Sequence, residues 1–416
     1  MATQSGQAHH DYELQAVPTG QRVRWYATLA VVLAWVINPA PALTGGMIGA
    51  GLSGSAALLA IALGSLVVAL YSVPIGIAGC QTGLSTALLS RRVFGQRGSD
   101  IVAFFMGAAN VIFYGVVVGI FVATLEAVLG ASPGSMMVWG GVLFAIAMAS
   151  SAFFGYRGLQ ILSNVTVPFF LLVLIISVTR AVGDAGGWAK TLAVQPTSPI
   201  AFGSAVTAAI GIFVVGATLI ADVTRYARDN ASSLIASLVG FGAGLTFFVG
   251  LGAIGAKAAG SGDLIQLMVS QGWLWIGALV LLLSSWTSGD NNIYSAGLAL
   301  AKIFNRPKRT FTIVTVIVGA VVAATGAYQN LLAYLGFIAL TIPPVGSIIA
   351  IDYFIVRREA EAEEQEYNTG ALVAWALAML IDYVAAFRMG IGASGLNGLI
   401  AGGALYYAWH ALFGRR

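Results

Sequence analysis

Two apolar stretches interrupted at their centres constrain this chain more than any other feature. The first runs from about Trp25 to Gly51 and is broken by Asn38-Pro39-Ala40-Pro41, with Thr44-Gly45-Gly46 just beyond. The second runs from about Ala201 to Ile220 and carries Gly211-Ile212-Phe213-Val214-Val215-Gly216 in its middle, where a second break is expected. A helix in lipid must satisfy every backbone N–H and C=O, so a break at membrane depth needs protein, water or a ligand around it. Proline lacks the N–H and clashes with the carbonyl one turn back, so two prolines within three residues end the regular ladder. Broken helices in corresponding positions of two halves are the pattern of a secondary transporter's binding site.

Composition places the whole chain in lipid. Of 416 residues, 58% are hydrophobic and 9% charged, with a mean hydropathy of +0.89. A soluble domain carries about a quarter charged residues. Stretches of about 20 apolar residues cross a ~30 Å hydrocarbon core. Twelve are expected, at about 25–51, 55–79, 101–129, 135–155, 159–182, 201–224, 232–256, 272–300, 311–327, 330–355, 370–387 and 392–413. They are called spans 1 to 12 below.

With twelve spans and a cytoplasmic N-terminus, 16 of the 20 Lys and Arg fall on the inner side, in line with the positive-inside rule. The inner set includes Arg22, Arg24, Arg91, Arg92, Arg225, Lys302, Lys308, Arg357, Arg358, Arg415 and Arg416, while Arg180, Lys190, Lys257 and Arg388 stay outside. The acidic run from Glu359 to Glu366 reads as a solvated inner loop. The first 21 residues form a polar cytoplasmic tail without a leader-like apolar core, and His9 and His10 belong to it. The single cysteine, Cys80, excludes an intrachain disulfide.

Residues 22–416 read as one membrane domain. Spans 1–5 (about 25–182) and spans 6–10 (about 201–355) each open on a broken helix, which suggests two five-helix repeats. Five is odd, so the repeats are inverted, with spans 11 and 12 (about 370–413) outside them. The 52 glycines suit close helix packing in lipid. A short amphipathic stretch between Thr82 and Ser99 is expected to lie at the inner surface.

Span 8 holds the densest polar run, Ser284-Ser285-Trp286-Thr287-Ser288-Gly289-Asp290-Asn291-Asn292. Ser284, Thr287 and Ser288 share one helix face. Three side-chain oxygens there, opposite the carbonyls freed by the break in span 1, suit a hard monovalent cation such as sodium. The alternative is that these hydroxyls bond back to their own helix. Asp290 is either a proton relay or gate, or a structural cap. Asp222 and Asp352 sit beside arginines and read as locally paired, and Glu126 and Asp382 lie nearer span ends. In span 3, Asn110, Phe113 and Tyr114 fall on neighbouring faces, an amide beside aromatic rings that suits a flat hydrogen-bonding heterocycle. Phe213 offers an opposing ring, with ordinary packing as the alternative for both phenylalanines.

No phosphate-binding loop, transition-metal cluster or nucleophile–base set is present, so ATP-driven transport and enzymatic chemistry find no support.

Several motifs together resemble the nucleobase:cation symporter-1 family, most closely its bacterial cytosine permease branch. They include Leu43-Thr44-Gly45-Gly46, Thr82-Gly83-Leu84-Ser85-Thr86, Ala217-Thr218-Leu219-Ile220-Ala221-Asp222 and Trp286-Thr287-Ser288-Gly289-Asp290-Asn291. Ile342-Pro343-Pro344-Val345-Gly346 with Asp352-Tyr353 adds to them, and the likeness covers roughly residues 20 to 415. It implies an all-α, twelve-helix, LeuT-like inverted-repeat fold with discontinuous helices 1 and 6, and symport of a nucleobase or related ring with sodium or protons. It further implies sodium held by the carbonyls of Ala34, Ile37 and Ser284 and the hydroxyls of Thr287 and Ser288. The implied ligand site is a Phe113–Phe213 sandwich with Asn110 as the amide, and polar contacts from Asn38 and Ser284. Asn110, Phe113, Val215 and Ser284 depart from the residues usual in cytosine permeases, and Asn38 adds an amide where that branch is apolar. These departures fall on the recognition positions and leave a hydantoin or a thiamine precursor as alternative cargo, while the ion positions stay compatible with sodium. Protons are the alternative coupling ion within the family, and the same fold class also carries amino acids and other amines.

Overall fold

The computed structural model describes residues 12–151, 156–260, 263–356 and 365–413. His9, His10, Arg357, Arg358, most of the acidic run, Arg415 and Arg416 lie outside the described residues. The described chain is helical throughout, apart from one isolated bridge between Val23 and Ala227. Seven of its helices are long and apolar enough to cross a membrane, or up to nine when each of two bent pairs is one span. Met137–Met148, in span 4, is a shorter apolar helix. Large apolar side chains point outward along several spans, among them Leu59, Leu66 and Leu70 on span 2 and Ile313, Ile317 and Val321 on span 9. That is the surface a helix bundle presents to lipid. The amphipathic stretch forms the helix Thr86–Phe94.

Span 1 is two helices, Trp25–Val36 and Pro39–Gly51, bent by 56°. Span 6 differs from expectation. Gly211 to Gly216 lie inside one unbroken helix, Phe202–Thr218, and the break falls at Leu219 and Ile220, ahead of a short turn Ala221–Thr224. Glycine permits a break but removes no donor, so it does not force one as proline does. The two glycines instead allow close approach. A Cβ at Gly211 would sit 2.6 Å from the Leu335 carbonyl oxygen, and one at Gly216 would sit 3.1 Å from the Phe213 ring. Span 10 is also interrupted, between Leu331–Thr341 and Pro343–Ile351, and the Thr341 carbonyl accepts from Trp375 Nε1 at 2.9 Å.

The second half of span 1 packs along Leu245–Ala259 of span 7, and span 8 (Leu274–Phe304) along span 3 (Gly98–Leu129). Helices Thr369–Tyr383 and Leu396–Phe413 pack on each other, the latter against Pro343–Ile351. Acids at the span ends are structural. Glu126 accepts from Gly134 N and Met136 N, and Asp382 accepts from Ser394 Oγ and Gly395 N. Asp352 accepts from Tyr406 Oη at 2.6 Å and pairs with Arg92 at 3.6 Å. Cys80 is a buried free thiol.

The span 1–span 7 contact brings two backbones together through facing glycines. A Cβ at Gly45 would overlap the Val249 carbonyl oxygen, and one at Gly252 would overlap that of Ala42. A backbone atom cannot rotate away, so Gly45→Val is expected to destabilise by at least the 1–3 kcal/mol typical of overpacking, about the scale of one poor core substitution. Thermal unfolding in detergent checks this. Gly183→Ala, with nothing within 4 Å of its new methyl, serves as the tolerated control.

Candidate ligand and cation sites

The break in span 1 leaves four consecutive carbonyls to account for. In a regular helix the Trp35 carbonyl accepts from residue 39 and the Ile37 carbonyl from residue 41, and both are proline. Asn38 repairs most of the damage. Its Nδ2 donates to the Trp35 carbonyl at 3.0 Å, and its backbone N–H donates to Val36 at 3.0 Å. Its Oδ1 accepts from Ala40 N at 2.9 Å and so caps the second helix. Ala34 loses its helical donor because Asn38 N–H has turned to Val36. The Ala34 carbonyl accepts instead from Thr287 Oγ1 of span 8, at 3.2 Å.

Thr287 Oγ1 also lies 3.1 Å from the Ser284 carbonyl, so Ala34, Ser284 and Thr287 meet at one point between the two spans. Ser288, one residue on, has a fully buried hydroxyl without a partner. Ser284 follows the alternative reading, since its own hydroxyl bonds back to Leu281 at 3.2 Å, and Thr287 combines the two, bonding back to Ser284 as well as across to Ala34. The donor set is all oxygen and uncharged. Among the described residues no group of three or more His, Cys, Asp or Glu converges. Neutral oxygens in a buried site suit a hard, singly charged ion and not a transition metal.

A small cavity next to this junction is bounded by Trp35, Asn110, Phe113, Phe213, Asn292 and Ile338. Phe113 is backed by Tyr334, stacked at 6.2 Å and 17°. Phe213 meets Trp35 edge to face, at 6.2 Å and 84°. Asn110 is 1% exposed; its Nδ2 donates to the Met106 carbonyl at 2.9 Å, while its Oδ1 has no partner. Three of the five expected ligand residues therefore share one wall-to-wall space. The other two do not. Asn38 and Ser284 line a neighbouring cavity with Ile37, Phe248 and Asp263, and the Asn38 amide is already engaged at both ends.

Three residues lie outside the expected ligand and cation sets. Trp35 closes the first half of span 1 and points its indole N–H at Asn292 Oδ1, 3.3 Å away. Asn292 continues the Ser284–Ser288 stripe by one further turn, a spacing signal present in the sequence. Asp263 caps the short helix Leu264–Ser270 through Ile265 N and Gln266 N and accepts from Thr124 Oγ1. Burial pushes its carboxyl up from the usual range, against the pull of those hydrogen bonds. Its place ahead of Leu264–Ser270 marks it locally as a cap, while its contact with Thr124 and its place beside Asn38 and Ser284 come only with the fold.

Asp290 is fully buried and accepts from Ser151 Oγ, which itself accepts from Trp286 Nε1 at 2.6 Å. The expected pairing of Asp222 takes a different form. Its carboxylate accepts from Thr86 N at 2.9 Å, while Arg225 reaches its main-chain carbonyl. Arg225 is fully buried, donating to Tyr294 Oη at 2.7 Å and to the Tyr12 carbonyl at 2.9 Å.

The model of the family described as permease for cytosine/purines, uracil, thiamine, allantoin matches residues 17–407. This chain belongs to that family. Cytosine permease of Escherichia coli K12 is 33% identical over 345 residues, covering 83% of this chain and 81% of the relative. Among solved structures, Mhp1, a nucleobase-cation-symport-1 family transporter in a closed conformation with bromovinylhydantoin bound, superposes with a TM-score of 0.82. It is 18% identical, over 96% of this chain and 95% of that one. A Na+-coupled sialic acid symporter superposes at 0.67 with 14% identity, over 95% and 91%. This permease is thus a multi-pass, all-helical membrane transporter with the fold of its Mhp1 and LeuT-like neighbours, and not an enzyme.

The Asn38 geometry separates a structural role from a ligand role. Asn38→Ala removes the cap and the Trp35 carbonyl's donor, with an expected loss of about 1 kcal/mol or more in stability. Asn38→Asp keeps the cap alone and is expected to fall between. Thermal unfolding without any ligand reads both.

Proposed function

We propose that this permease imports a small planar nucleobase, cytosine or a close relative, by sodium-coupled symport through alternating access. The observation that carries the reading is Asn110. A fully buried amide with an unpartnered oxygen faces a cavity bounded by Phe113 and Phe213, each backed by a second ring. A buried acceptor without a donor is costly, so a ring N–H or exocyclic amine supplied there stabilises the complex. The flat faces suit stacking on a heteroaromatic ring. Cytosine permease as a relative and Mhp1 as a structural neighbour support the same class of cargo.

The coupling ion is read as sodium, held by the carbonyls of Ala34, Ile37 and Ser284 and the hydroxyls of Thr287 and Ser288. The uncharged oxygen set and the unpartnered Ser288 hydroxyl support it. The ion is cargo here, and it would tie the broken span 1 to span 8 before the ligand cavity closes. Each ligand must then raise the other's affinity by one common factor. The twelve-span count, the two inverted repeats and the cytoplasmic placement of both termini in the inner membrane belong to the same proposal. Proton coupling is the second reading, favoured by Asp263, a buried carboxyl beside Asn38 and Ser284.

Thermal stability of the purified protein with nucleobases, hydantoins, thiamine precursors and amino acids, in sodium chloride and in choline chloride, tests the proposal. A ligand that binds only the folded state raises the melting temperature by mass action. The expected result is a shift with cytosine or a related ring that grows in sodium. A shift indifferent to sodium favours protons, and a shift from amino acids alone contradicts the substrate class. Ser288→Ala is expected to weaken both cytosine and sodium binding. Phe113→Ala is expected to weaken cytosine binding by about tenfold, through loss of one stacking face, with sodium-induced stabilisation retained.

A further inference from the structure

Trp35 and Asn292 belong to neither ligand list, yet they join the two sites. Asn292 Nδ2 donates to the Ser288 carbonyl at 2.9 Å, and Asn292 Oδ1 accepts from Trp35 Nε1 at 3.3 Å. Ser288 is on the cation face. Trp35 follows Ala34, whose carbonyl accepts from Thr287, and its ring meets Phe213 edge to face. Gly216 leaves room for this contact, since a Cβ there would lie 3.1 Å from Phe213 and 3.5 Å from Trp35. Both Trp35 and Asn292 are buried, at 1% and 2% exposure, and both line the cavity that Asn110 faces.

We propose that the Trp35–Asn292 hydrogen bond is the positioning link through which cation occupancy between spans 1 and 8 fixes the aromatic wall of the ligand cavity. The inference rests on the sodium-coupled reading above and names the residues that do the coupling. Three short steps lead from ion to ring. The ion holds the Ala34 carbonyl and the Ser288 hydroxyl at a fixed separation. That separation sets the distance between the Trp35 indole N–H, one residue after Ala34, and the Asn292 amide, one turn after Ser288. With the hydrogen bond made, the indole is held in one rotamer and Phe213 keeps its edge contact. With the spans parted, the indole is released and the wall loses its support. The groups involved are polar but unchargeable, so this link carries no pH dependence of its own.

A pair that merely packs would affect stability and leave coupling intact, so the test reads coupling. The probe is cytosine, with its dissociation constant measured in sodium chloride and in choline chloride at equal ionic strength. The ratio of the two is taken within each variant, so any change in basal affinity cancels. Trp35→Phe keeps an aromatic ring against Phe213 and removes the N–H; Asn292→Leu keeps the volume and removes the acceptor. Coupling factors of about 5–150-fold are typical. The wild-type ratio is expected in that range, and each variant's ratio is expected to fall to within about twofold of one. The double variant is expected to lose no more than either single, because both remove the same bond. Sodium titration by thermal shift without cytosine is expected to retain the stabilisation in both variants. A wild-type ratio surviving in Trp35→Phe and Asn292→Leu overturns the link and leaves the transport reading standing. A wild type whose cytosine affinity ignores sodium overturns the reading itself and the link with it.

Discussion

Everything at the centre of this permease depends on the backbone between Ala34 and Pro41. Two prolines remove the donors that the Trp35 and Ile37 carbonyls need, and a low-dielectric surround makes each unmet group costly. The chain answers in two ways. Asn38 patches the break from within, serving Trp35 and Ala40 with one amide. Span 8 answers from outside, where Thr287 serves Ala34. The proposed cation site follows from what is left over: carbonyls turned out of the helix, facing hydroxyls on an unbroken neighbour. A continuous span 1 would offer no free carbonyl and would have no need of span 8.

The second broken span contributes differently. Its helix runs unbroken through Gly211 and Gly216, and this continuity brings Phe213 into the cavity at a fixed height. The glycines let the helix approach Leu335 and let Phe213 and Trp35 pack edge to face. The break comes one turn later, at Leu219 and Ile220, where Asp222, Thr86 and Arg225 gather the loosened backbone into a buried polar knot. Spans 1 and 6 therefore divide the work, one exposing backbone and the other presenting a ring.

Much of this was legible in the sequence because its causes are local. Proline pairs announce a break wherever they occur, and Ser284, Thr287 and Ser288 declare a shared face by spacing alone. Asn110 and Phe113 were readable for the same reason. The Gly211–Gly216 break was misplaced because glycine only permits what proline compels. Asn38 is expected as a ligand group, and the structure shows its amide engaged by backbone that only the folded break exposes. Trp35 and the role of Asn292 within the span 8 polar run are not legible in the sequence because the bond that joins them spans 257 residues of chain. The motif resemblance supplied the family, which local physics alone does not specify.

The central claim is that a cation at the broken span 1 drives uptake of a flat ring, and liposomes test it most directly. Purified permease reconstituted into potassium-loaded vesicles would be given radiolabelled cytosine under an inward sodium gradient, or under an inward proton gradient in choline. The account predicts accumulation above the external concentration with sodium, abolished by a sodium ionophore and insensitive to the proton gradient. Accumulation driven by protons in choline, with no response to sodium, would contradict it.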